Sequence, residues 1–218
     1  MLHLLHISDP TLPIGGFTHS AGLETYVQQG IVFNVQTAKE FISQMLDENI
    51  QFNDAAYASL SFNAVHDLQM LLSLDEECTA VKIPRETREA SRKLGNRLLK
   101  IFSTQFNHPF IKLIESKQSD GNYAIVFGLL TALMNIPKSD ALTAFYYNAA
   151  VSMVTNSVKL IPLGQMEGQN ILFDLQSLID QLVIQTLDPD PDMIGKACPG
   201  FDLRCMQHEA LYTRLYIS

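Results

Sequence analysis

Three groups of side chains have the types that bind metals: His3 with His6, Cys198 with Cys205 and His208, and the acids of Asp188-Pro189-Asp190-Pro191-Asp192. The two N-terminal imidazoles have helical spacing but no third ligand nearby, and ordinary surface histidines are the simpler interpretation. The second group offers too few ligands for a closed structural site. The third group could attract a hard cation, but a flexible loop rich in proline does not hold its carboxylates in place around an ion. We therefore predict no resident metal.

No motif indicates catalysis. The sequence has no Walker loop, no His-Glu-x-x-His, no Gly-x-Ser-x-Gly and no Cys-x-x-Cys. The acids and histidines are scattered singly and propose no acid–base pair at a defined spacing. These absences favour a protein that binds partners over an enzyme.

The least generic stretch is a turn built from Pro13 and Gly15-Gly16. Proline fixes one backbone angle, and the glycines permit angles at which a side chain would clash. Thr18 or Ser20 is then placed to cap a following helix. Two interpretations stay open at this point. One is an ordinary turn before a helix; the other is a phosphate cradle, although neither phosphate-loop fingerprint is present.

Composition limits the class of protein. The 218 residues are 47% hydrophobic and 17% charged, enough for a large core, with a formal net charge of −8. An acidic balance disfavours nucleic-acid binding and electrostatic attachment to anionic lipid. Three scattered cysteines do not form a disulfide framework, which favours a reducing cytoplasm.

Helical periodicity dominates the chain. Thr37-x-x-Glu40 has the form of a capping box at the start of an amphipathic helix. Asn53-Asp54 suggests a break before a second helix that ends near Val65. A nearly unbroken apolar run of eleven residues, from Ala124 to Met134, is too short to span a bilayer and predicts a helix buried on all sides. The next helix should end at Pro162.

A long helix over 84–106 concentrates basic residues: Arg85, Arg88, Arg92, Lys93, Arg97 and Lys100. Two interpretations remain open. The basic face is either solvated and paired with acids one turn away, or a patch that complements an acidic partner or another subunit.

Because strand signals are nearly absent, we predict an all-α fold. It should be a single-domain multi-helix bundle over 1–218, with about ten helices and no significant sheet. Apolar residues near the C-terminus, between Tyr212 and Ile217, would be exposed to solvent unless another surface covers them. We expect 199–218 to be a mobile docking tail.

Three blocks of the sequence resemble the urease accessory protein UreF family. They are Leu12-Pro13-Ile14-Gly15-Gly16-Phe17 with Ser20 and Gly22-Leu23-Glu24; Pro162-Leu163-Gly164-Gln165 with Gly168-Gln169; and Pro199, Asp202, His208, Glu209, Tyr212, Arg214, Leu215 and Ser218. The blocks fall at the beginning, the late middle and the end, so the resemblance covers essentially the whole chain. Two departures are the segment 121–124, where relatives often have His, and the C-terminus, which lacks a second Arg.

The resemblance implies a homodimeric adaptor that acts in the maturation of urease, a nickel enzyme. Members of this family bridge the scaffold UreH, also called UreD, and the GTPase UreG, and the complex delivers nickel to apo-urease. We therefore expect a cytoplasmic protein that is not an enzyme and binds no cofactor tightly. Nickel and GTP would be handled by the partner complex.

The expected partner-binding residues are Pro13, Gly15, Gly16, Phe17, Ser20, Glu24, Gln165, Gln169, His208, Tyr212 and Arg214. We hypothesise that Phe17 anchors the turn and that Arg214 binds acceptors that become ordered on complex formation. The alternative is an all-helical small-molecule-binding protein or enzyme, which would contain a polar-lined internal cavity. A helical transcription regulator is disfavoured by the acidic charge.

Overall fold

The computed structural model describes residues 1–16, 19–20, 22–211 and 215–216, and all regular structure within these ranges is helical. The α-helices are α1 Leu2–Ile7, α2 Leu23–Gln28, α3 Val35–Gln44, α4 Ala56–Asn63, α5 Leu68–Ala80, α6 Arg85–Phe102, α7 Pro109–Glu115, α8 Tyr123–Leu133, α9 Lys138–Leu160, α10 Gln165–Asp174, α11 Gln176–Leu187 and α12 Pro199–Glu209. A π-helix, Met45–Ala55, joins α3 to α4, and a short 3₁₀ turn, Ser103–Gln105, follows α6. The predicted all-α, single-domain fold is confirmed.

Helix α8 lies at the centre, as its sequence predicts. Every residue from Ala124 to Thr131 is buried, and α4, α6 and α9 pack around it. Gly128 makes the closest approach, because a Cβ built there would lie 2.2 Å from the carbonyl oxygen of Ala58 on α4. A helix without a polar face must be covered on all sides, and this requirement fixes the places of its neighbours.

A buried carboxylate fixes the start of α8. Asp75 is 1% exposed and accepts hydrogen bonds from the backbone N–H groups of Gly121 and Asn122, each at 2.9 Å. The Asn122 amide and the Ser119 hydroxyl donate to the same carboxylate, at 2.9 and 2.5 Å. A buried charge is tolerated when its acceptor sites are filled in this way. The loop before α8 is thereby tied to α5.

The segment from α3 to α4 corrects two predictions. The capping box is formed by Asn34 and Thr37, whose side chain and backbone groups bond reciprocally, and Glu40 instead accepts from Gln36. No break occurs at 53–54, because the π-helix continues directly into α4. The polar pair forms tertiary bonds instead: the Asn53 amide donates to the Lys196 carbonyl, and Asp54 pairs with Lys82 at 2.8 Å.

The remaining boundaries agree with the helix signals, with one exception. Pro84 precedes α6, and α9 ends at Leu160 before Pro162. The apolar run from Ile171 to Val183, whose spacing predicts one continuous helix, is divided into two helices at Leu175. Within the described ranges, no helix is long and apolar enough to cross a membrane.

We expect Gly128→Ala to destabilise the protein, because its Cβ would overlap the backbone of α4 rather than a movable side chain. Overpacking of this kind costs about 1–3 kcal/mol. Thermal or urea unfolding measures it. Gly200→Ala on α12 is the control, since a Cβ there meets nothing within 4 Å. Equal stability of both variants would contradict the close packing of α4 and α8.

Candidate functional site

The N-terminal turn is held against α6. Gly15 has a φ of 83°, in the left-handed region where glycine is strongly favoured, and the Arg97 guanidinium donates to the Ile14 carbonyl at 2.9 Å. Gly16 is not constrained in this way, because a Cβ there would meet nothing within 4 Å. Pro13 is exposed. The turn is therefore a tethered, partly exposed loop that requires glycine at position 15.

The predicted cap of the following helix is wrong for Ser20. Helix α2 begins after Gly22, whose φ is 76°, and it has no side-chain cap. The Ser20 hydroxyl is buried and has no hydrogen-bond partner. The first turn of α2 is buried and already contains the Glu24 carboxylate, an environment unfavourable to a phosphate.

The central feature of the site is a buried cluster of Glu24, His208 and Glu86. One imidazole nitrogen, Nε2, lies 3.1 Å from a Glu24 oxygen, and the other, Nδ1, lies 2.7 Å from a Glu86 oxygen. His208 is 0% exposed and Glu24 is 3% exposed. Each ring nitrogen of His208 therefore lies within hydrogen-bond distance of a carboxylate oxygen. The cluster joins α2, α6 and α12.

The same carboxylate holds the C-terminal segment. Glu24 accepts from the backbone N–H of Leu215 at 2.9 Å and of Tyr216 at 3.3 Å. Helix α2 also contacts α12 directly, since the Thr25 hydroxyl donates to the Arg204 carbonyl at 3.0 Å. The Arg204 guanidinium lies over the Tyr26 ring, 5.7 Å from its centroid. The two ends of the chain therefore meet in one place.

Most of the basic face of α6 is engaged within the chain. Arg88 donates to the carbonyls of Lys82 and Ile83, and Arg92 pairs with Asp120 at 2.7 Å. Arg85 and Lys93 pair with Glu89 one turn away, and Arg85 also approaches Glu209. The structure thus favours a paired face over a patch for an acidic partner.

The glutamines predicted for partner binding, Gln165 and Gln169, are both exposed on α10. They do not cap the helix start, because Glu167 accepts from the Gly164 N–H at 2.7 Å. Ser20, Glu24 and His208 are buried instead; Glu24 and His208 join the chain ends, whereas the Ser20 hydroxyl has no hydrogen-bond partner. Phe17, Tyr212 and Arg214 lie outside the described residues, as does Thr18.

The cysteines and histidines do not assemble a metal centre. Across the described ranges, no group of three or more His, Cys, Asp or Glu side chains is arranged to hold a metal ion. Burial raises the pKa of Cys78 to about 12 and raises that of Cys205 well above its usual range. Both thiols therefore stay protonated near neutral pH, whereas metal ligation requires the thiolate. His208 is engaged by carboxylates.

A cavity of about 290 Å³ lies beside the cluster. Its walls come from the N-terminal turn, the π-helix, α6, α9 and the segment 196–208. Nonpolar, uncharged polar and charged side chains all line it. The small-molecule alternative expected a cavity, and the structure contains one here.

Sequence reasoning missed two parts of this region. Glu86 has no signal that links it to His208, since 122 residues separate them. A stripe of polar residues on α9, Asn148, Ser152 and Asn156, has such a signal, because a spacing of four places them on one face of the helix.

Comparisons with known proteins agree with one another. The family model for UreF matches residues 32–176. Proteins named urease accessory protein UreF are similar over nearly the whole chain: one from Actinobacillus pleuropneumoniae serotype 5b (strain L20) is 53% identical, covering 99% of this chain and 97% of the relative. One from Haemophilus influenzae (strain PittGG) is 50% identical, covering 99% of this chain and 94% of the relative. One from Lachnoclostridium phytofermentans (strain ATCC 700394 / DSM 18823 / ISDg) is 32% identical with 100% and 98% covered.

Glu24→Gln should destabilise the protein by about 3 kcal/mol, because it removes one charge from a buried, hydrogen-bonded cluster. It should also speed hydrogen exchange at the Leu215 and Tyr216 amides, which bond to this carboxylate. Urea unfolding and amide exchange measure the two effects. Glu76→Gln on α5 is the matched control, since Glu76 is exposed. Unchanged stability and unchanged exchange would disprove the role of the cluster.

Proposed function

Because the chain belongs to the UreF family of urease accessory proteins, we propose that it is a cytoplasmic, non-catalytic adaptor in urease maturation. In this role it links the UreH/UreD scaffold to the UreG GTPase. The complex inserts nickel into apo-urease in a GTP-dependent step. The partners bind nickel and GTP, and this chain supplies the surfaces to which the partners bind.

The observation that best supports an adaptor is the joining of the two chain ends. Glu24 follows the exposed turn at Pro13, and the same carboxylate holds Leu215 and Tyr216. The two family blocks at the termini therefore form one continuous region. A partner that contacts the turn is then also near the C-terminal segment, as an adaptor surface requires.

A second surface, the outer face of α10, supports self-association. Gln165, Met166, Gln169, Asn170 and Phe173 are exposed there, and none is charged. The charged residues of α10 are engaged elsewhere, since Glu167 caps the helix and Asp174 pairs with Lys39 at 2.6 Å. A chain with a net charge of −8 repels its own copies, so a homodimer requires a face that is poor in charge. We assign this face to the dimer.

Phe173→Glu should shift the dimer toward monomer, because it buries two new like charges in the interface. Sedimentation velocity at several protein concentrations measures the shift. Met70→Glu is the matched control: Met70 is 48% exposed and lies on α5, away from this face. A wild-type monomer, or a Phe173→Glu variant that remains dimeric, would exclude the face as the dimer contact.

The adaptor role itself is tested by co-purification and by urease loading. The wild-type chain should co-purify with UreH/UreD and UreG, and cells that lack it should produce urease with little nickel. Arg214→Ala should weaken complex assembly about tenfold or more, because an interface arginine often dominates binding energy. The fold of the free chain should be unchanged by circular dichroism.

Lys100→Ala is the control for Arg214→Ala, since Lys100 is an exposed base on α6. Equal assembly by the Arg214→Ala and wild-type chains would reject a role for that residue. Fully loaded urease in cells without the chain would reject the adaptor function as a whole.

A further inference from the structure

The polar stripe on α9 faces the cavity beside the chain-end cluster. Asn148, Ser152 and Asn156 lie one turn apart, and all three line that cavity. From this arrangement we propose that the cavity is a binding site for a small, uncharged organic molecule. The ligand has a nonpolar body and one hydrogen-bonding end, such as a primary amide or an alcohol.

Several polar groups of the wall lack hydrogen-bond partners within the chain. Among the described residues, Asn148 and Ser152 make no side-chain hydrogen bond, and the Asn156 amide oxygen has no donor although the residue is only 1% exposed. Its Nδ2 donates to the His19 carbonyl at 2.8 Å. The Ser20 hydroxyl beside it is also buried and unpartnered. Buried polar atoms without partners are costly, and a bound polar group removes that cost.

Tyr123 contributes a further hydroxyl group. Its ring stacks on Phe145, with centroids 5.6 Å apart, and both residues line the cavity. Burial raises the pKa of the Tyr123 phenol well above its usual range, so the group stays an O–H donor. The rest of the wall includes Ile14, Ile50 and Leu94, which suit a nonpolar body.

Charges on the wall argue for an uncharged ligand. Lys82 pairs with Asp54 at 2.8 Å, and Lys196 pairs with Glu48. The cluster already joins His208 to Glu86 and Glu24. Burial, together with nearby Lys93 and Arg97, lowers the pKa of His19 and keeps its ring neutral.

Asp202 is the remaining acid of the wall, and burial raises its pKa. Asp9 accepts two hydrogen bonds from Thr11. The lysines of the wall and His208 are thus already paired with acids, so they offer no free counter-charge to an anion. A ligand with a full negative charge would lose its hydration without gaining a counter-charge.

The volume of about 290 Å³ also sets the size of the ligand. Small-molecule sites span about 300–1,000 Å³, so this cavity lies at the lower limit and fits a single-ring compound rather than a nucleotide. Because Ile14 and Ser20 line the same space as α9, a bound molecule would contact both the N-terminal turn and the core helix.

Three probes of one shape and different charge test the proposal: benzamide, benzoate and benzylamine. Titration calorimetry and ligand-observed NMR on the full chain should show saturable binding of benzamide at about 1 mM, typical of a fragment. Benzoate and benzylamine should bind at least about tenfold more weakly. Benzamide should also raise the melting temperature, since it binds the folded state.

Two variants locate the site. Ser152→Val and Asn148→Leu should each weaken benzamide binding about tenfold, because each removes a hydrogen-bonding group from the wall. Thr143→Val is the matched control, since Thr143 is exposed on the same helix. Amide exchange of α9 checks that the variants remain folded.

Three results would overturn the proposal. They are the absence of saturable benzamide binding to the wild-type chain, equal or tighter binding of a charged probe, and wild-type affinity in both wall variants. The first result would mean that ordered water satisfies the polar stripe.

Discussion

The structure depends on the burial of the central part of α8, from Ala124 to Thr131. A helix with no polar face cannot lie at a surface, so α4, α6 and α9 must surround it. Gly128 permits the closest of these contacts, and the Asp75 carboxylate sets where the helix begins. Once this centre is covered, the elements left for the periphery are the short helices at the two ends of the chain. The helices at the two chain ends pack together because the core helices leave this part of the surface uncovered.

Nonpolar packing alone does not hold those ends. Helices α1 and α2 each have only six residues, which is too short to be stable without tertiary contacts. The position of α2 is set in part by the polar cluster of Glu24, His208 and Glu86, and the bond from Arg97 holds the turn before it. Helix α1 is held instead by its buried Ile7. A buried charge cluster contributes little net stability compared with nonpolar packing, but it permits only one geometry. Such a contact favours a defined surface at the chain ends.

The sequence predicts what depends on local periodicity and not what depends on distant pairing. The buried run from Ala124, the start of α6 after Pro84 and the end of α9 before Pro162 all follow from neighbouring residues. The two helix boundaries are confirmed, and the run is buried from Ala124 to Thr131. The capping box lies three residues earlier in the chain than predicted, because Asn34 is a better N-cap than Thr37. The break at 53–54 was wrong because its polar side chains bond to Lys82 and Lys196, which no local pattern reveals.

Charge pairing within the chain has a consequence for how it meets other molecules. The basic face of α6, the acid of α10 at Asp174 and the charged wall of the cavity are largely compensated internally. The surfaces proposed for contact are uncharged: glutamine, methionine and phenylalanine on α10, and asparagine and serine on α9. At these surfaces selectivity must come from shape and hydrogen bonding at short range. A protein of net charge −8 that presents uncharged contact surfaces is suited to neutral ligands and to copies of itself, for which complementary charge cannot provide recognition.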